Sequence, residues 1–514
     1  MTAETIPALT VDAAERFGDQ TAIAYGDLSL SYAELLERAR DFGAALVASG
    51  VEPGDRIAIW APNSARWIVS LLGLFQAGAV LVPINTRFKG GEAADILQRS
   101  HARVLLTAGD FLGTDYTALL ADHDLPDVTT TVRIDGRDWD EFLARATVGA
   151  RAEVLRRAAG VRSDDPSDIL FTSGTTGVPK GVVQTHGRTL LVATDWVAMT
   201  GLAAGDRYLM VNPYFHMFGL KAGILACVAA GATMLPEPAF DVDRALARVE
   251  AERVTVLPGA PTLYQSILDH PARPKYDLSS LRIAVTGAAD IPVELIRRIV
   301  DELPFPTIIT GYGLTEGGTA AATSPDDDVE TIATTVGRPR PSFELRIVDD
   351  KGNDVERGSA GEIVLRGGSI MSHYLDDPEA TAATLSDDGW LRTGDLGVID
   401  ERSCLHIVGR AKDMFIVGGF NAYPAEIENA LLRHPDIQQA AVIGVPDARL
   451  GEVGMAFVVT RPGAQVTGDA VIAWARNEMA NYKVPRAVEI IDELPLNATG
   501  KVVKDDLRKR VSSR

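Results

Sequence analysis

The chain has 514 residues, too many for one ordinary hydrophobic core, so at least two domains are expected, one of them large. A content of 46% hydrophobic and 23% charged residues is typical of a soluble globular protein. The formal net charge of −20 excludes ordinary nucleic-acid binding, because that affinity depends mainly on Lys and Arg neutralising phosphates. Two cysteines, Cys227 and Cys404, are too few for a disulfide framework and indicate a reducing compartment.

The N-terminal segment carries acidic residues where a signal peptide carries basic ones. Residues 67–83 contain no charged residue and are long enough to suggest a membrane span. Gly73, Gly78 and Pro83 interrupt this stretch, so we predict a buried helix followed by a strand instead. These features favour a cytoplasmic protein without integral membrane association.

Strand and helix signals alternate through the first part of the chain. Ser31 and Glu34 form a predicted capping box, in which each side chain satisfies a free backbone N–H at a helix start. Leu35, Ala39 and Phe42 then fall on one helical face, which predicts its burial. Apolar runs of strand length follow at residues 56–60, 79–84, 104–107, 168–171, 254–259 and 282–288. Such alternation predicts layered α/β structure with largely parallel sheets.

The pattern changes near Gly337, where short alternating strands with Gly and Asp between them predict an antiparallel β section. After Arg410 strands mix with a helix, which predicts a small α+β unit that continues to the end. We therefore predict an N-terminal domain of residues 1–410 and a C-terminal domain of residues 411–514.

Residues 168–181 carry the strongest chemical signal. Glycines let backbone amides turn toward an anion, hydroxyls add donors, and a lysine supplies positive charge to a polyphosphate. The pattern is not a Walker A loop, because Val178 and Pro179 separate the second glycine from the lysine. A surface loop rich in Gly and Thr is the alternative, which the density of donors disfavours. The predicted phosphate-binding residues are Thr172, Ser173, Gly174, Thr175, Thr176, Gly177 and Lys180.

This loop resembles the phosphate-binding signature of the adenylate-forming superfamily, which includes acyl- and aryl-CoA synthetases. Four further motifs of that superfamily occur in the same order, and together the five extend over nearly the whole chain. They are YGLTE at residues 312–316, GWLRTGD at 389–395, GRAKD at 409–413 and PLNATGK at 495–501. The resemblance implies an α/β fold with a large N-terminal AMP-binding domain of layered sheets plus a β section, and a small mobile C-terminal α+β domain.

The resemblance also implies ATP-dependent formation of an acyl-adenylate and then of an acyl-CoA thioester. Because a carboxylate must attack the α-phosphate of ATP, the site has to supply cations and oriented donors. By resemblance, Glu316 binds the cofactor Mg2+, Thr315 contacts the α-phosphate, and Tyr312 stacks on adenine. The other nucleotide contacts it implies are Gly287, Ala288, Ala289, Gly313, Asp395 at the ribose hydroxyls, and Arg410.

Lys501 is implied as the catalytic residue that bridges the attacking carboxylate and the α-phosphate. A solvated basic tail is the alternative interpretation of this segment. Lys412 lies at the hinge position about which the small domain of such enzymes rotates between the two half-reactions. Coenzyme A, the co-substrate, is expected along Gly418, Gly419 and Phe420.

The acyl pocket is expected to be lined by His216, Gly313, Gly317 and Gly318, and the glycines are expected to leave volume for a bulky acid. Lys221 lies in an otherwise apolar segment. It is interpreted either as a helix-end charge that reaches solvent or as a donor to a polar group of the substrate, such as a ketone.

Residues 212–227, 255–273 and 418–428 resemble the actinobacterial ligases that activate methylhexahydroindanedione propanoate (HIP), a remnant of steroid rings C and D. The steroid-derived acid is therefore the expected substrate, and a medium-chain or aromatic acyl-CoA synthetase is the alternative. A catalytically inactive nucleotide-binding regulatory protein is the candidate from a different class, which the joint presence of Glu316, Asp395 and Lys501 disfavours.

The expected partners are consequently a small carboxylic acid, ATP and CoA, with no nucleic acid. The oligomeric state is left open, a homodimer included. The segment around Lys501 resembles a site that is acetylated in some relatives, so a lysine acetyltransferase is a further expected partner.

Overall fold

The computed structural model describes residues 3–172, 179–287, 291, 293–418, 420–447, 449–497 and 502–512, the side chain of Asn421 excepted. The elements are numbered in chain order, and most helices lie in the first three quarters of the chain. The α-helices are α1 (Ile6–Phe17), α2 (Tyr32–Ala48), α3 (Ala65–Gln76), α4 (Gly90–Arg99), α5 (Tyr116–Leu119), α6 (Asp138–Leu143), α7 (Val148–Gly160), α8 (His186–Thr200), α9 (Met217–Gly219), α10 (Ala226–Ala230), α11 (Val242–Glu252), α12 (Pro261–Leu268), α13 (Val293–Glu302), α14 (Val329–Thr334), α15 (Pro378–Thr384), α16 (Pro424–Leu431), α17 (Gly468–Glu478) and α18 (Lys504–Ser512).

A π-helix (Leu220–Leu225) joins α9 to α10, and a 3-10 helix spans Arg273–Lys275. The strands are β1 (Thr21–Tyr25), β2 (Leu28–Ser31), β3 (Arg56–Trp60), β4 (Val80–Pro83), β5 (Ala102–Thr107), β6 (Asp110–Phe111), β7 (Thr114–Asp115), β8 (Thr130–Arg133), β9 (Pro166–Thr172), β10 (Lys180–Thr185), β11 (Arg207–Met210), β12 (Thr233–Pro236), β13 (Val256–Gly259), β14 (Ile283–Gly287), β15 (Thr307–Leu314), β16 (Gly318–Ala322), β17 (Arg338–Pro339), β18 (Phe343–Val348), β19 (Gly361–Gly367), β20 (His373–Tyr374), β21 (Leu391–Ile399), β22 (Leu405–Arg410), β23 (Phe415–Val417), β24 (Phe420–Ala422), β25 (Ile437–Asp447), β26 (Gly451–Thr460) and β27 (Ala487–Ile490).

Two large sheets form the body of the protein. Sheet I has the strand order β17-β16-β15-β14-β13-β11-β12-β1-β2, and sheet II has the order β20-β10-β9-β4-β3-β5-β8. The interior pairs of both sheets are parallel, whereas the pairs β15–β16, β16–β17 and β1–β2 of sheet I and β9–β10 and β10–β20 of sheet II are antiparallel. The predicted layered α/β architecture is therefore confirmed, with antiparallel strands added at the edges.

The predicted local elements form for the expected reasons. Ser31 and Glu34 make the capping box of α2, and Leu35, Ala39 and Phe42 are buried on one face of that helix. The uncharged stretch that resembles a membrane span is α3 followed by β4, both buried in the main core. No helix of the described ranges is long and apolar enough to cross a membrane.

Most strands after Gly337 form two further sheets, whereas β17 and β20 join sheets I and II. Sheet III is antiparallel with the order β18-β19-β21-β22, as the alternating pattern predicts. Sheet IV has the order β24-β23-β26-β25, with β27 added beside β26. Residues 415–511 pack into two hydrophobic clusters of their own, separate from the clusters of residues 6–407.

Candidate functional site

The hairpin of β9 and β10 carries the predicted phosphate loop. The two strands are antiparallel neighbours in sheet II, and Thr172 lies directly opposite Lys180. The structure therefore brings together the two ends of the loop. Ser173, Gly174, Thr175, Thr176 and Gly177 lie outside the described residues.

Arg99, at the end of α4, contacts both arms of this hairpin. Its Nη1 donates a hydrogen bond to the carbonyl oxygen of Pro179 at 2.8 Å, and its guanidinium lies 5.2 Å from the ring centroid of Phe171. Asp95 holds the same guanidinium from one helical turn earlier, at 3.2 Å. Arg99 therefore fixes the distance between the residues that flank the loop.

Glu316 lies in the turn between β15 and β16, next to Thr315. Its Oε1 accepts a hydrogen bond from the hydroxyl of Tyr374 at 2.9 Å, and its backbone oxygen accepts the N–H of Met371 at 2.6 Å. The ring of Tyr374 also lies 4.9 Å from Nζ of Lys180. Tyr374 thus joins the residue predicted to bind metal with the lysine predicted to bind phosphate.

A second cluster forms where sheets I and III meet. Tyr312, on β15, donates its hydroxyl hydrogen to Oδ2 of Asp395 at 2.7 Å. Nε of Arg410 lies 3.0 Å from Oδ1 of the same carboxylate, because Asp395 and Arg410 are cross-strand neighbours on β21 and β22. The structure therefore brings together three residues predicted to contact the nucleotide, although Tyr312 lies 83 positions before Asp395 in the chain.

Burial and neighbouring carboxylates raise the pKa values of the two tyrosines in these clusters. Burial raises the pKa of the Tyr312 phenol well above its usual value, and the carboxylate of Asp395 raises it further. Burial also raises the pKa of Tyr374, and Glu316 adds to this shift. Both phenols therefore stay protonated near neutral pH, so each acts as a hydrogen-bond donor to its carboxylate.

The glycines of the predicted acyl pocket have a different role from the expected one. A Cβ on Gly313 would lie 2.5 Å from the backbone oxygen of Gly318, and one on Gly318 would lie 2.8 Å from Cγ2 of Val192. Gly318 also has φ of +94°, which L side chains rarely adopt. The expectation that these two glycines leave volume is wrong, since Gly313 allows close pairing of β15 with β16 and Gly318 allows close packing against Val192 of α8.

Of the neighbouring glycines, Gly287 is enclosed by backbone and Gly317 is less tightly enclosed by side chains. A Cβ on Gly287 would meet the backbone oxygen of Gly311 at 2.9 Å, because β14 and β15 are paired there. A Cβ on Gly317 would meet Cδ1 of Ile370 at 3.2 Å. Ala288 and Ala289, the other residues predicted at this strand end, lie outside the described residues.

Lys221 does not reach solvent, so the helix-end interpretation is wrong. It lies in the π-helix with a fully buried side chain, and its Nζ is 2.9 Å from Oδ1 of the fully buried Asp168. Burial lowers the pKa of Lys221, and the charge of Asp168 opposes that shift. The physical reason is that a buried carboxylate on β9 supplies the counter-charge that solvent would otherwise supply.

His216 begins α9, at the start of the segment that leads to Lys221. Its Nδ1 accepts the backbone N–H of Phe218 at 3.2 Å, so the imidazole caps this short helix. The ring of Phe218 packs edge-on against Trp196 of α8 at 5.2 Å. The side chain predicted to line the acyl pocket is thus held by its own turn, and Phe218 of that turn packs against α8.

The predicted C-terminal residues lie on or beside sheet IV. Lys412 is exposed in the turn between β22 and β23. Gly418 has φ of +57° between β23 and β24, and Phe420 is 61% exposed with its ring stacked on Tyr482 at 5.0 Å. Gly419 and Lys501 lie outside the described residues.

Three functional candidates escape sequence reasoning. Tyr374 and Arg99 stand outside every motif, so no local signal marks them. Asp168 could be found, because a carboxylate inside the apolar run of β9 calls for a buried cation.

The described residues suit a magnesium ion that is bound mainly through a substrate. Mg2+ is usually held by one or two carboxylates together with substrate phosphates and water. Glu316 provides one carboxylate, whose Oε1 accepts the hydroxyl hydrogen of Tyr374. No group of three or more His, Cys, Asp or Glu side chains able to hold a metal occurs within the described ranges. The carboxylate therefore fits an ion that arrives with a polyphosphate.

The chain is similar to known proteins over nearly its whole length. Residues 11–375 match the model of the AMP-binding enzyme family, and residues 426–501 match that of the AMP-binding enzyme C-terminal domain. A protein of Rhodococcus jostii is 50% identical over 98% of both chains, and one of Mycobacterium tuberculosis is equally similar. Both are named 7a-methyl-1,5-dioxo-octahydro-1H-inden-4-yl propanoyl:CoA ligase. The crystal structure of ATP-bound MatB from Rhodopseudomonas palustris superposes with a TM-score of 0.86, at 31% identity over 98% of this chain and 99% of that one.

Proposed function

This chain belongs to the AMP-binding enzyme family, and from that membership we propose that it is an AMP-forming acid–thiol ligase. It couples a carboxylic acid to ATP as an acyl-adenylate and then transfers the acyl group to coenzyme A. The observation that carries the proposal is the placement of Asp395, whose carboxylate is held between Tyr312 and Arg410 where two sheets meet. A carboxylate held in this way can accept both hydroxyls of a ribose.

Adenylation brings an anionic acid onto an anionic phosphate, so positive charge and oriented donors must surround the reacting atoms. In the proposed assignment, Thr172, Lys180 and the loop between them hold the β- and γ-phosphates. Thr315 contacts the α-phosphate, and Tyr312 lies against adenine together with the strand end at Gly287. Arg410 holds the nucleotide beside Asp395 on the ribose.

Mg2+, when bound, neutralises charge on the phosphates as pyrophosphate leaves. Glu316 is its proposed protein ligand. Tyr374 orients this carboxylate through a hydrogen bond to Oε1, which leaves Oε2 for the ion.

The small unit supplies the rest of the reaction. We place the N-terminal domain at residues 1–410 and the mobile C-terminal domain at residues 411–514, with Lys412 as the hinge. Lys501 bridges the acid and the α-phosphate during adenylation. Rotation then presents Gly418, Gly419 and Phe420 to the pantetheine arm of CoA. The exposed turn at Lys412 supports this division, because a hinge must absorb a change of backbone dihedrals.

The proposed acid is HIP, the steroid-derived methylhexahydroindanedione propanoate. Support comes from the two relatives that are 50% identical over nearly the full length and are named for this acyl group. His216 and the turn that follows it line the proposed acyl pocket. A medium-chain or aromatic acid is the second candidate, because one fold serves many acids in such families.

The experiment measures acid-dependent release of pyrophosphate and formation of acyl-CoA with MgATP, CoA and a panel that contains HIP, octanoate and benzoate. We expect HIP to give the highest kcat/KM. A higher kcat/KM for octanoate or benzoate would overturn the steroid assignment. Absence of AMP formation with every acid would favour the inactive regulatory protein.

Lys501→Ala tests the catalytic lysine. We expect the variant to lose acid-driven pyrophosphate release, because no other cation then bridges the two anions. The matched control is Lys504→Ala on the same segment, whose Nζ is paired with Glu428 at 2.8 Å. Equal losses in both variants would assign the effect to the segment instead of Lys501.

Three further expectations belong to this proposal. Acetylation of Lys501 would remove its charge and silence adenylation, which mass spectrometry of protein from its native host can test. A homodimer is tested by sedimentation, and cytoplasmic location is tested by cell fractionation.

A further inference from the structure

The ion pair of Lys221 and Asp168 is the most deeply buried pair of opposite charges described in the protein. Both side chains have zero exposure, and the nitrogen and oxygen are 2.9 Å apart. The second oxygen of Asp168 accepts hydrogen bonds from Ser167 at 2.6 Å and from Thr189 at 2.7 Å. One carboxylate therefore joins strand β9, helix α8 and the π-helix.

Stability alone does not explain this pair. Two charges lose their hydration when they are buried, and well-packed apolar residues of similar size are often equally stabilising or better. The surroundings already supply such packing, because every other residue of the π-helix is buried and uncharged. A π-helical turn is itself rare and is frequent at functional sites.

The pair connects the strand that leads to the phosphate loop with the segment that follows the acyl-side turn. Asp168 lies four residues before Thr172, where β9 reaches the phosphate loop. Lys221 lies five residues after His216, at the end of the turn assigned to the acyl pocket. Asp168 is also fixed from both sides within sheet II, opposite Leu81 of β4 and Gln184 of β10.

Helix α8 also links Asp168 to the acyl-side turn. Thr189 bonds to Asp168, and Trp196, two turns later, packs against Phe218 of the acyl-side turn at 5.2 Å. Residues seven positions apart lie on one face of a helix. The helix therefore touches the carboxylate at one point and the acyl-side turn at another.

We propose that Asp168 and Lys221 are a positioning pair, which fixes the acyl-side turn of residues 216–218 at a set distance from the phosphate strand β9. This inference rests on the proposed function, which assigns β9 to the phosphates and the turn of residues 216–218 to the acyl pocket. The pair touches neither substrate, and it acts by holding the acid carboxylate at reacting distance from the α-phosphate. Misplacement by about 1 Å far from the chemistry can cost roughly 100-fold in rate.

The test removes the charges singly and together, in Lys221→Met, in Asp168→Leu and in the double variant. Each single variant leaves a buried unpaired charge and is expected to unfold at a lower temperature. The double variant is expected to recover the thermal midpoint of the wild type. Its kcat for acid-dependent pyrophosphate exchange stays lower by about 10- to 100-fold, with less than about a 3-fold change in the KM for ATP. Recovery of both stability and kcat would overturn the proposal.

A second variant keeps the test informative if the double variant does not fold. Thr189→Val removes one hydrogen bond to Asp168 and leaves the ion pair. We expect kcat to fall a few-fold and the thermal midpoint to fall less than in either single-charge variant, because Ser167 still donates to the carboxylate. An unchanged kcat would contradict the proposal. The matched control is Arg248→Met with Glu237→Leu, a pair at 2.9 Å between partly buried Arg248 of α11 and buried Glu237 directly after β12. Its activity is expected to equal that of the wild type.

Two further readouts separate the possible failures. Loss of activity with ketone-bearing acids alone would make Lys221 a direct substrate ligand and would overturn the positioning role, which affects all acids alike. If the wild type itself shows no acid-dependent exchange with any acid, the proposed function fails, independently of how the variants compare.

Discussion

Two carboxylate–cation pairs of this protein have the same chemistry and opposite surroundings. The pair of Asp395 and Arg410 lies at an edge between two sheets, with side chains 10% and 41% exposed. The pair of Asp168 and Lys221 lies inside the core with no exposure at all. In the first pair both side chains retain surface for a ligand. In the second, the counter-charge and two hydroxyls enclose the carboxylate.

This difference shows that burial decides whether a charged pair can bind a ligand or instead fixes the geometry around it. An accessible pair can exchange its protein contacts for a ligand's hydroxyls at low cost, because water screens and solvates the separated charges. A buried pair cannot separate without a large loss of stability, so it fixes geometry instead. The accessible pair is expected to control nucleotide binding, and the buried region is expected to control stability and alignment.

Asp395→Asn is expected to have the largest effect on activity. Hydrogen bonds to charged groups contribute about 1.5–3 kcal/mol each, so loss of the carboxylate should cost about 2.7 kcal/mol, or about 100-fold in kcat/KM for ATP. Stability should change little, because Arg410 remains partly solvated. Pyrophosphate exchange at varied ATP and a thermal melt measure the two quantities.

The matched control is Asp354→Asn, which breaks an exposed pair with Arg346 on sheet III. It should leave both quantities unchanged. If Asp395→Asn keeps the KM of the wild type for ATP, the ribose assignment is wrong.

The buried imidazole of His186 allows the effect of burial on a charge to be measured as a pH dependence of stability. Burial lowers the pKa of His186 to about 4, although Asp168 and Asp165 oppose this shift. The folded protein keeps the imidazole neutral, whereas the unfolded chain binds a proton below pH 6.5. Stability is therefore lost as the pH falls from about 6.5 toward about 4, by about 2 kcal/mol at pH 5.

His186→Asn offers an oxygen in place of Nδ1, which accepts the backbone N–H of Ile6 at 3.4 Å. The variant should flatten the fall of the urea midpoint between pH 7.5 and pH 5, and His373→Asn on the surface should not. A wild-type midpoint that is constant over this range would contradict the prediction.

Tyr374→Phe removes the donor to Glu316 and keeps the ring beside Lys180. We expect kcat/KM for MgATP to fall about 10-fold, since one hydrogen bond to a carboxylate is worth about 1.5 kcal/mol. The loss should be smaller at high Mg2+, which compensates for poorer orientation of the carboxylate. Tyr116→Phe is the control. The hydroxyl of Tyr116 donates to the backbone oxygen of Thr86 at 2.7 Å, and this hydrogen bond lies away from the candidate site. If kcat/KM of the variant depends on Mg2+ as that of the wild type does, Tyr374 does not orient the metal ligand.

Arg99→Met should have the smallest effect. A cation over an aromatic ring at an accessible site contributes about 0.5–1 kcal/mol, so the KM for ATP should rise about 3-fold. The KM for the acid should not change, because the contacts of Arg99 described above are with Asp95 of its own helix and with the phosphate hairpin. Arg103→Met, which breaks a pair with Asp55 at 3.2 Å, is the matched control. Equal shifts in both KM values would indicate a general loss of structure.

Local patterns were enough for much of the fold. The capping box of Ser31 and Glu34, the burial of α3 and the change to antiparallel strands after Gly337 follow from residue spacing alone. These features depend on neighbours within one element, which is the information that a sequence carries directly.

Other features needed the tertiary structure. From the sequence alone we predicted a phosphate loop between Thr172 and Lys180 and singled out Tyr312, Glu316, Asp395 and Arg410, because motifs mark single positions. Only the folded chain decided that Tyr374 bonds to Glu316, that the acyl-side glycines allow close strand pairing, and that Lys221 is sealed against Asp168. The physical reason is that burial and pairing depend on contacts between residues distant in the chain, whereas a motif records only residue type and spacing.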